Sequence, residues 1–456
     1  MILSDSDDPV RVPQSPHARW VEVLLWIFTL SFALDYRAAD ARDGGAGLDQ
    51  LLFLAMAFFS TVGILFLGWR LLVVRPGAWF IGGWACFLGF MLVNAVLQDV
   101  HPNRSLRIIL PLFLCFAGMI NVHIAACMGI RPAKIVTPIL IAACGNVVWR
   151  IAQGFLFKGV TIETARVDVQ SAANIWIAAF IGCSLLLRKR VHWTLLMATG
   201  VLFGGILITI TRSLLFPIMA SALATTLCFL LGAKWRAFDL REAPKRLSPV
   251  AVIGVLAIIA IGVIALSQPL LIERWNDRLF HHAADRNTTT DISWLTRKAE
   301  ASAIFEILNK EPIHYIYGHG IGASYYWDPA YMHEIYLVYP EDEELGVDVW
   351  FAGHSVWTYA LFSGGAIAFI AYLALIFGNM AASLLAARAN ASLPGPDFWL
   401  AFLPFVSAAC LLSMSVTSNP FDERLAALIF GLMVGLPQAF FIRASWIHSS
   451  RNPIYA

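Results

Sequence analysis

Trp350-Phe351-Ala352-Gly353-His354-Ser355-Val356-Trp357-Thr358-Tyr359 marks the point where a long polar segment gives way to an apolar run, residues 356–376. An apolar run of ~20 residues is long enough to cross a bilayer as a helix. His354 therefore stands at a border between water and lipid. An imidazole titrates near neutral pH, so His354 is either an acid–base group or an interfacial histidine, and this stretch alone leaves both readings open.

The whole chain shares the character of that run. Its 456 residues are 59% hydrophobic and only 14% charged, and the mean hydropathy is +0.70. Soluble domains carry about 25% charged residues. The deficit predicts an all-α polytopic membrane protein. Aromatic residues make up 13%, with 16 Trp, which suits interfacial belts. A net charge of +2 provides no basic field for nucleic acid. All seven cysteines (Cys86, Cys115, Cys127, Cys144, Cys183, Cys228 and Cys410) fall in apolar runs, so they read as small buried hydrophobes and not as disulfides or metal ligands. Residues 1–19 are polar and lack a signal-peptide layout.

Twelve apolar segments reach spanning length: 18–36, 48–69, 78–97, 108–128, 134–155, 172–187, 193–210, 214–232, 249–268, 355–376, 398–416 and 425–442. Basic residues occupy every second gap, at Arg70/Arg75, Arg131/Lys134, Arg188/Lys189/Arg190, the cluster from Lys234 to Arg246, Arg388 and Arg443/Arg451. The positive-inside rule makes those gaps cytoplasmic, puts both termini there, and turns the alternate gaps outward. One outward gap, about 269–354, holds six of the eleven histidines. A long ordered loop of this kind is usually functional. Ser293 reads as the N-cap of a helix from Trp294 to about Lys310, with Trp294, Ala301, Ile304, Phe305 and Leu308 on one face and Arg297 in its middle. Gly318-His319-Gly320-Ile321-Gly322 reads as a tight turn-rich segment.

Few residues stand out as chemistry. Arg212 lies in a short outward turn, Thr211-Arg212-Ser213, against the charge rule, and is either snorkelling or an anion ligand. Arg297, on an apolar stripe, needs a carboxylate partner or a bound anion, and its fork suits phosphate. Arg166 sits beside Asp168 in another outward gap, and Arg150 reads as a snorkelling residue. His281, His282, His314 and His319 have irregular spacing with no Cys among them, so no metal is expected. The acidic run 341–344 reads as solvated. Tyr325-Tyr326-Trp327 offers stacking faces for sugars or an anchor on the bilayer.

The order of these features resembles the O-antigen ligase and polysaccharide polymerase family of bacterial inner-membrane glycosyltransferases. The resemblance covers residues 193–376 best. It rests on the Thr211-Arg212-Ser213 turn, the Arg297 helix opening the large loop, Pro312, the Gly318/Gly320/Gly322 run and His354 ahead of the next span. Arg166 before Ala172-Ala173-Asn174 matches a smaller element. Ser355 departs from the Asn that many members carry after the histidine.

The resemblance implies a GT-C-like fold of about twelve transmembrane helices with a large, partly helical periplasmic loop. Residues 1–17 would form a cytoplasmic tail, 18–192 helices 1–6, 193–376 the ligase-related core with loop 269–354, and 377–456 the last two helices and a tail. It further implies an inverting, metal-independent transfer, with no cofactor, of a glycan from undecaprenyl pyrophosphate to lipid A–core or a lipid-linked glycan. In that scheme His354 is the acceptor base, Arg212, Arg297 and Arg166 bind the pyrophosphate, and the three glycines position the loop. A polymerase using the same donor is the nearest alternative. A transporter and a non-catalytic assembly or receptor protein are alternatives from other classes.

Overall fold

The computed structural model describes residues 12–36, 48–160, 169–188, 193–209, 212–280, 292–326, 350–416 and 418–451. Its helices are α1 (Ala18–Leu30), α2 (Leu48–Gly68), α3 (Gly77–Leu97), α4 (Pro102–Cys127), α5 (Pro132–Ala152), α6 (Ala173–Leu186), α7 (Trp193–Thr209) and α8 (Leu215–Lys234), followed by α9 (Ala243–Ser267), α10 (Pro269–Phe280), α11 (Ile292–Lys310), α12 (His314–Tyr317), α13 (Val356–Asn390), α14 (Leu403–Ser415), α15 (Arg424–Gly435) and α16 (Pro437–Arg451). Among the described residues, eight helical stretches are long and apolar enough to cross a membrane, so the chain is an all-α, multi-pass membrane protein. The other four expected spans are also helical: α1 has 13 residues, α6 and α7 are apolar helices of 10–17 residues as described, and α9 runs for 25 residues with Gly254–Ser267 as its described apolar part.

Burial sorts the helices. α4 and the α15–α16 pair form the centre, with 78% and 89% of their most apolar windows buried, against 22% for α2. Two glycines make that centre close. A Cβ on Gly118 would meet the Leu428 carbonyl at 2.8 Å, and one on Gly431 would collide with the Cys115 carbonyl. Helix backbones touch where such small residues remove the side-chain layer. α2 and α9 instead expose Phe58, Phe59 and Phe66, and Val255, Ile258 and Ile259, the apolar surface that a lipid-facing helix presents.

Polar contacts gather the helix ends into two layers, in step with the charge alternation of the loops. In one layer Lys134 pairs with Glu22 at 2.6 Å, Gln438 accepts from Gly77 N–H, and Arg443 donates to Asn390. The opposite layer holds His354. There Arg424 pairs with Asp35 at 2.8 Å and Arg150 pairs with Glu423 at 2.6 Å. The second Glu423 oxygen accepts from Ala172 N–H at 2.6 Å. Arg150 is therefore a buried ion-pair partner and not a snorkelling residue. Its charge lies 5% exposed, where an unpaired guanidinium is too costly to keep.

α13 is broken inside its apolar run. Gly365 has φ 61°, a left-handed geometry that glycine adopts without penalty. In an unbroken helix the carbonyls of Phe362 and Ser363 would accept from residues four further on. Here they turn outward and accept from His319 N–H at 2.7 Å and Gly320 N–H at 3.0 Å. Asn94 on α3 seals the junction, donating to the Tyr317 carbonyl at 2.6 Å. The glycine run is thus a loop inserted into the bundle, with its backbone satisfied by a broken helix, the condition under which irregular backbone is tolerated in such surroundings.

Candidate functional site

His354 lies immediately before α13, whose N-cap is Ser355; the Ser355 hydroxyl accepts from Trp357 N–H at 3.4 Å. Its imidazole is 38% exposed, and Trp350 packs 5.0 Å away, ring to ring. The ring is not alone. Nδ1–H donates to Glu300 Oε2 at 2.8 Å, and the His354 backbone N–H donates to Oε1 at 3.0 Å. With the proton held on Nδ1, the neutral ring carries its lone pair on Nε2, the atom then suited to accept a proton. An imidazolium formed there would be stabilised by the carboxylate behind it.

Glu300 comes from α11, and its side chain is 1% exposed. A buried carboxylate needs donors. It has the two from His354 and a third from Tyr325, whose hydroxyl donates to Oε1 at 2.9 Å. Burial and the neighbouring carboxylate push the Tyr325 hydroxyl well above the ordinary phenol range, so it stays a donor. A Cβ on Gly353 would stand 3.0 Å from Glu300 Oε1 and collide with Tyr359, so only glycine lets the chain pass so close.

A single antiparallel pair sets the position of this strand. Tyr325 N–H donates to the Trp350 carbonyl at 2.8 Å, and Trp350 N–H to Tyr325 at 2.7 Å. Tyr359 adds a post below, donating from its hydroxyl to the Phe351 carbonyl at 2.8 Å and accepting from Gly322 N–H at 3.1 Å. Gly318, Gly320 and Gly322 have φ of 73°, 89° and 83°. A Cβ on Gly322 would press on the backbone of Arg104 and Ser105, and one on Gly318 on that of Ser363 and Gly364.

The α11 stripe differs from the sequence expectation. The helix is described from Ile292, two residues before the expected Trp294, and the side chain of Ser293 lies outside the described residues. Leu295, Ala299, Ala303, Ile304 and Leu308 are buried, with Glu300 among them, whereas Phe305 is 40% exposed. Ile304 and Leu308 belong to both readings. Arg297 is half-buried at the edge of the buried arc, one turn before Glu300. Three hydrogen bonds draw the carboxylate inward, an effect that apolar periodicity cannot register. Tyr325 is 2% exposed, a structural donor and not a stacking face, while Tyr326 is exposed.

Arg166, His281, His282, Trp327 and the acidic run 341–344 lie outside the described residues, as does the guanidinium of Arg212, whose backbone opens the turn Arg212–Leu214. His314 and His319 stack at 3.9 Å between ring centroids. No cluster of metal-ligating side chains occurs among the described residues.

Two cations that the sequence reading passed over do reach the site. Arg104 and Arg107, from the first turns of α4, place their guanidinium carbons 5.9 and 5.5 Å from the ring of Phe351, three residues before His354. The signal for them was the one that singled out Arg212: arginines in an outward gap, against the charge rule. Glu300 also left a trace, as a carboxylate three residues from Arg297 on a mostly apolar helix face. No protein-family model matches the chain, and no curated protein matches it.

Proposed function

We propose that the chain is an O-antigen ligase-like glycosyltransferase of the bacterial inner membrane, with a GT-C-like bundle of twelve spans, both termini cytoplasmic and the His354 layer periplasmic. The observation that carries the proposal is the His354–Glu300 pair: a half-exposed imidazole backed by a buried, fully hydrogen-bonded carboxylate. His354 Nε2 takes the proton from an acceptor hydroxyl. The freed oxygen attacks the anomeric carbon, the bond from that carbon to the pyrophosphate oxygen breaks, and the configuration inverts. The proton on His354 passes to water. Undecaprenyl pyrophosphate leaves with the electron pair, and Arg212, Arg297 and Arg166 hold its growing charge, the task that fixed cations perform best. The acceptor hydroxyl belongs to lipid A–core.

A deletion strain carrying plasmid-borne variants tests this. With the wild-type chain absent, polymer should accumulate on the carrier while the core stays bare. His354→Ala and Glu300→Gln should fail to restore transfer, and Arg297→Ala should also weaken retention of the lipid-linked donor. Single repeats on the core would point to a polymerase instead. Unchanged glycans in both fractions would remove the proposal.

A further inference from the structure

Tyr325 has a hydroxyl that the transfer chemistry leaves without a task. The residue is 2% exposed and follows the glycine run, three residues beyond Gly322. Its backbone pairs with Trp350, its ring packs 5.0 Å from that of Phe362, and its hydroxyl reaches Glu300 Oε1 at 2.9 Å. We propose that Tyr325 is a positioning residue of the His354–Glu300 pair: by donating to Glu300 it limits how strongly the carboxylate holds the imidazole proton. This role rests on the reading of His354 as the acceptor base.

Among the described residues, Glu300 takes its hydrogen bonds from His354 and Tyr325. His354 supplies Nδ1–H to Oε2 at 2.8 Å and its backbone N–H, 3.0 Å from Oε1 and 3.2 Å from Oε2. The two oxygens share one negative charge, so a donor on Oε1 draws charge away from Oε2. The bond to Nδ1–H weakens in consequence, and an imidazolium gains less from it. Removing the hydroxyl does the reverse. A buried carboxylate one donor short makes the pair bind its proton more tightly, whichever member holds it. The phenol is held where it can act. Phe362, on which the ring packs, gives its carbonyl to His319 N–H at 2.7 Å, so the break in α13 and the glycine run together fix that wall. A second acceptor, the Ala352 carbonyl, lies 3.1 Å from the hydroxyl. It is farther and uncharged, so the proton points to Glu300.

Other charged and titratable groups surround the pair. Tyr359 of α13 donates to the Phe351 carbonyl at 2.8 Å, and Arg104 and Arg107 of α4 lie over the Phe351 ring. Arg297 stands one turn before Glu300 on α11, and Asp422, ahead of α15, lines a small cavity with Tyr359 and Ala352. The arginines oppose a proton on His354 and Asp422 favours it, in the presence of the Tyr325 hydroxyl and in its absence alike. Tyr359 is the internal control, because its hydroxyl fixes the same strand through Phe351 and Gly322 and not through Glu300. Burial and Glu300 keep the Tyr325 hydroxyl protonated across the range in which an imidazole titrates.

The test is a nuclear magnetic resonance titration of isotope-labelled histidines in the full-length protein, with His354→Ala assigning the His354 signal. His354 should titrate about 0.5–1 pH unit higher in Tyr325→Phe than in the wild type, and lower in Glu300→Gln. Tyr359→Phe loosens the strand but keeps every donor on Glu300, so it should titrate as the wild type does. Unchanged helix content confirms the fold of each variant. The acid limb of the transfer rate should move upward with the titration in Tyr325→Phe, so that rate lost near pH ~6 is largely recovered near pH ~8. An unmoved His354 titration in Tyr325→Phe would overturn the inference. So would an equal shift in Tyr359→Phe, which would make the effect one of strand stability, or a loss of rate equal at every pH. A shifted titration in a chain that transfers no glycan would uphold the hold of Tyr325 on His354 and remove the transferase reading, which tells the two failures apart.

Discussion

Glu300 Oε2 accepts from His354 Nδ1 at 2.8 Å across 54 residues of sequence, and the same carboxylate takes the His354 backbone N–H. One side chain therefore fixes both the tautomer of the imidazole and the path of the chain carrying it. Glu300→Gln keeps the volume but offers the ring a neutral partner. Turnover should fall by about 10²–10⁴-fold in His354→Ala, the usual size of general-base help. Glu300→Gln should fall comparably, and the double variant little further, because the two act as a unit. Transfer rates with purified lipid-linked donor measure this. Additive losses would mean that the residues act separately.

The break in α13 makes a second prediction. Gly365→Ala must hold a positive φ with extended ψ, a region nearly exclusive to glycine that costs an L-residue about 1–3 kcal/mol, and its Cβ would also collide with the backbone of Ile316 and Tyr317. The thermal midpoint in detergent should drop clearly, more than for alanine at Gly82, where a Cβ meets nothing within 4 Å. Equal midpoints would mean that the inserted loop contributes no stability.

Arg150 and Glu423 tie the end of α5 to the start of α15 through a buried pair at 2.6 Å. Removing one partner strands the other. Glu423→Leu or Arg150→Met alone should destabilise by roughly 3–5 kcal/mol, while the double variant should recover a large part of the loss. Chemical or thermal unfolding of the three variants decides it. A double variant as unstable as the sum of the singles would show that the two charges do not couple.

His319 sets an acid limit. Burial first, then His314, lowers its pKa in the folded protein. The unfolded chain therefore binds its proton more readily, near pH ~6.5. The stability gained from keeping it neutral is complete above that value and is lost as pH falls from there through the lower folded pKa. The thermal midpoint of the wild type should thus decline more steeply on acidification below ~6.5 than that of His319→Gln. Parallel declines would assign the acid sensitivity to other groups.

Much of the architecture was legible in the residues themselves. Spanning helices announce themselves because a bilayer imposes a length and forbids charge. Gly318, Gly320 and Gly322 could be read as tight turns because their backbone freedom belongs to the residue type. His354 could be placed at the head of its helix for similar local reasons. The partner of His354 could not. Apolar periodicity placed Arg297 at the centre of the α11 face and passed over Glu300, since a carboxylate is counted as polar until three donors from distant segments surround it. The burial of Arg150 and the approach of Arg104 and Arg107 to Phe351 were likewise decided only by tertiary contacts. Length and hydropathy are properties of a segment. The standing of a charge depends on what the fold brings to it.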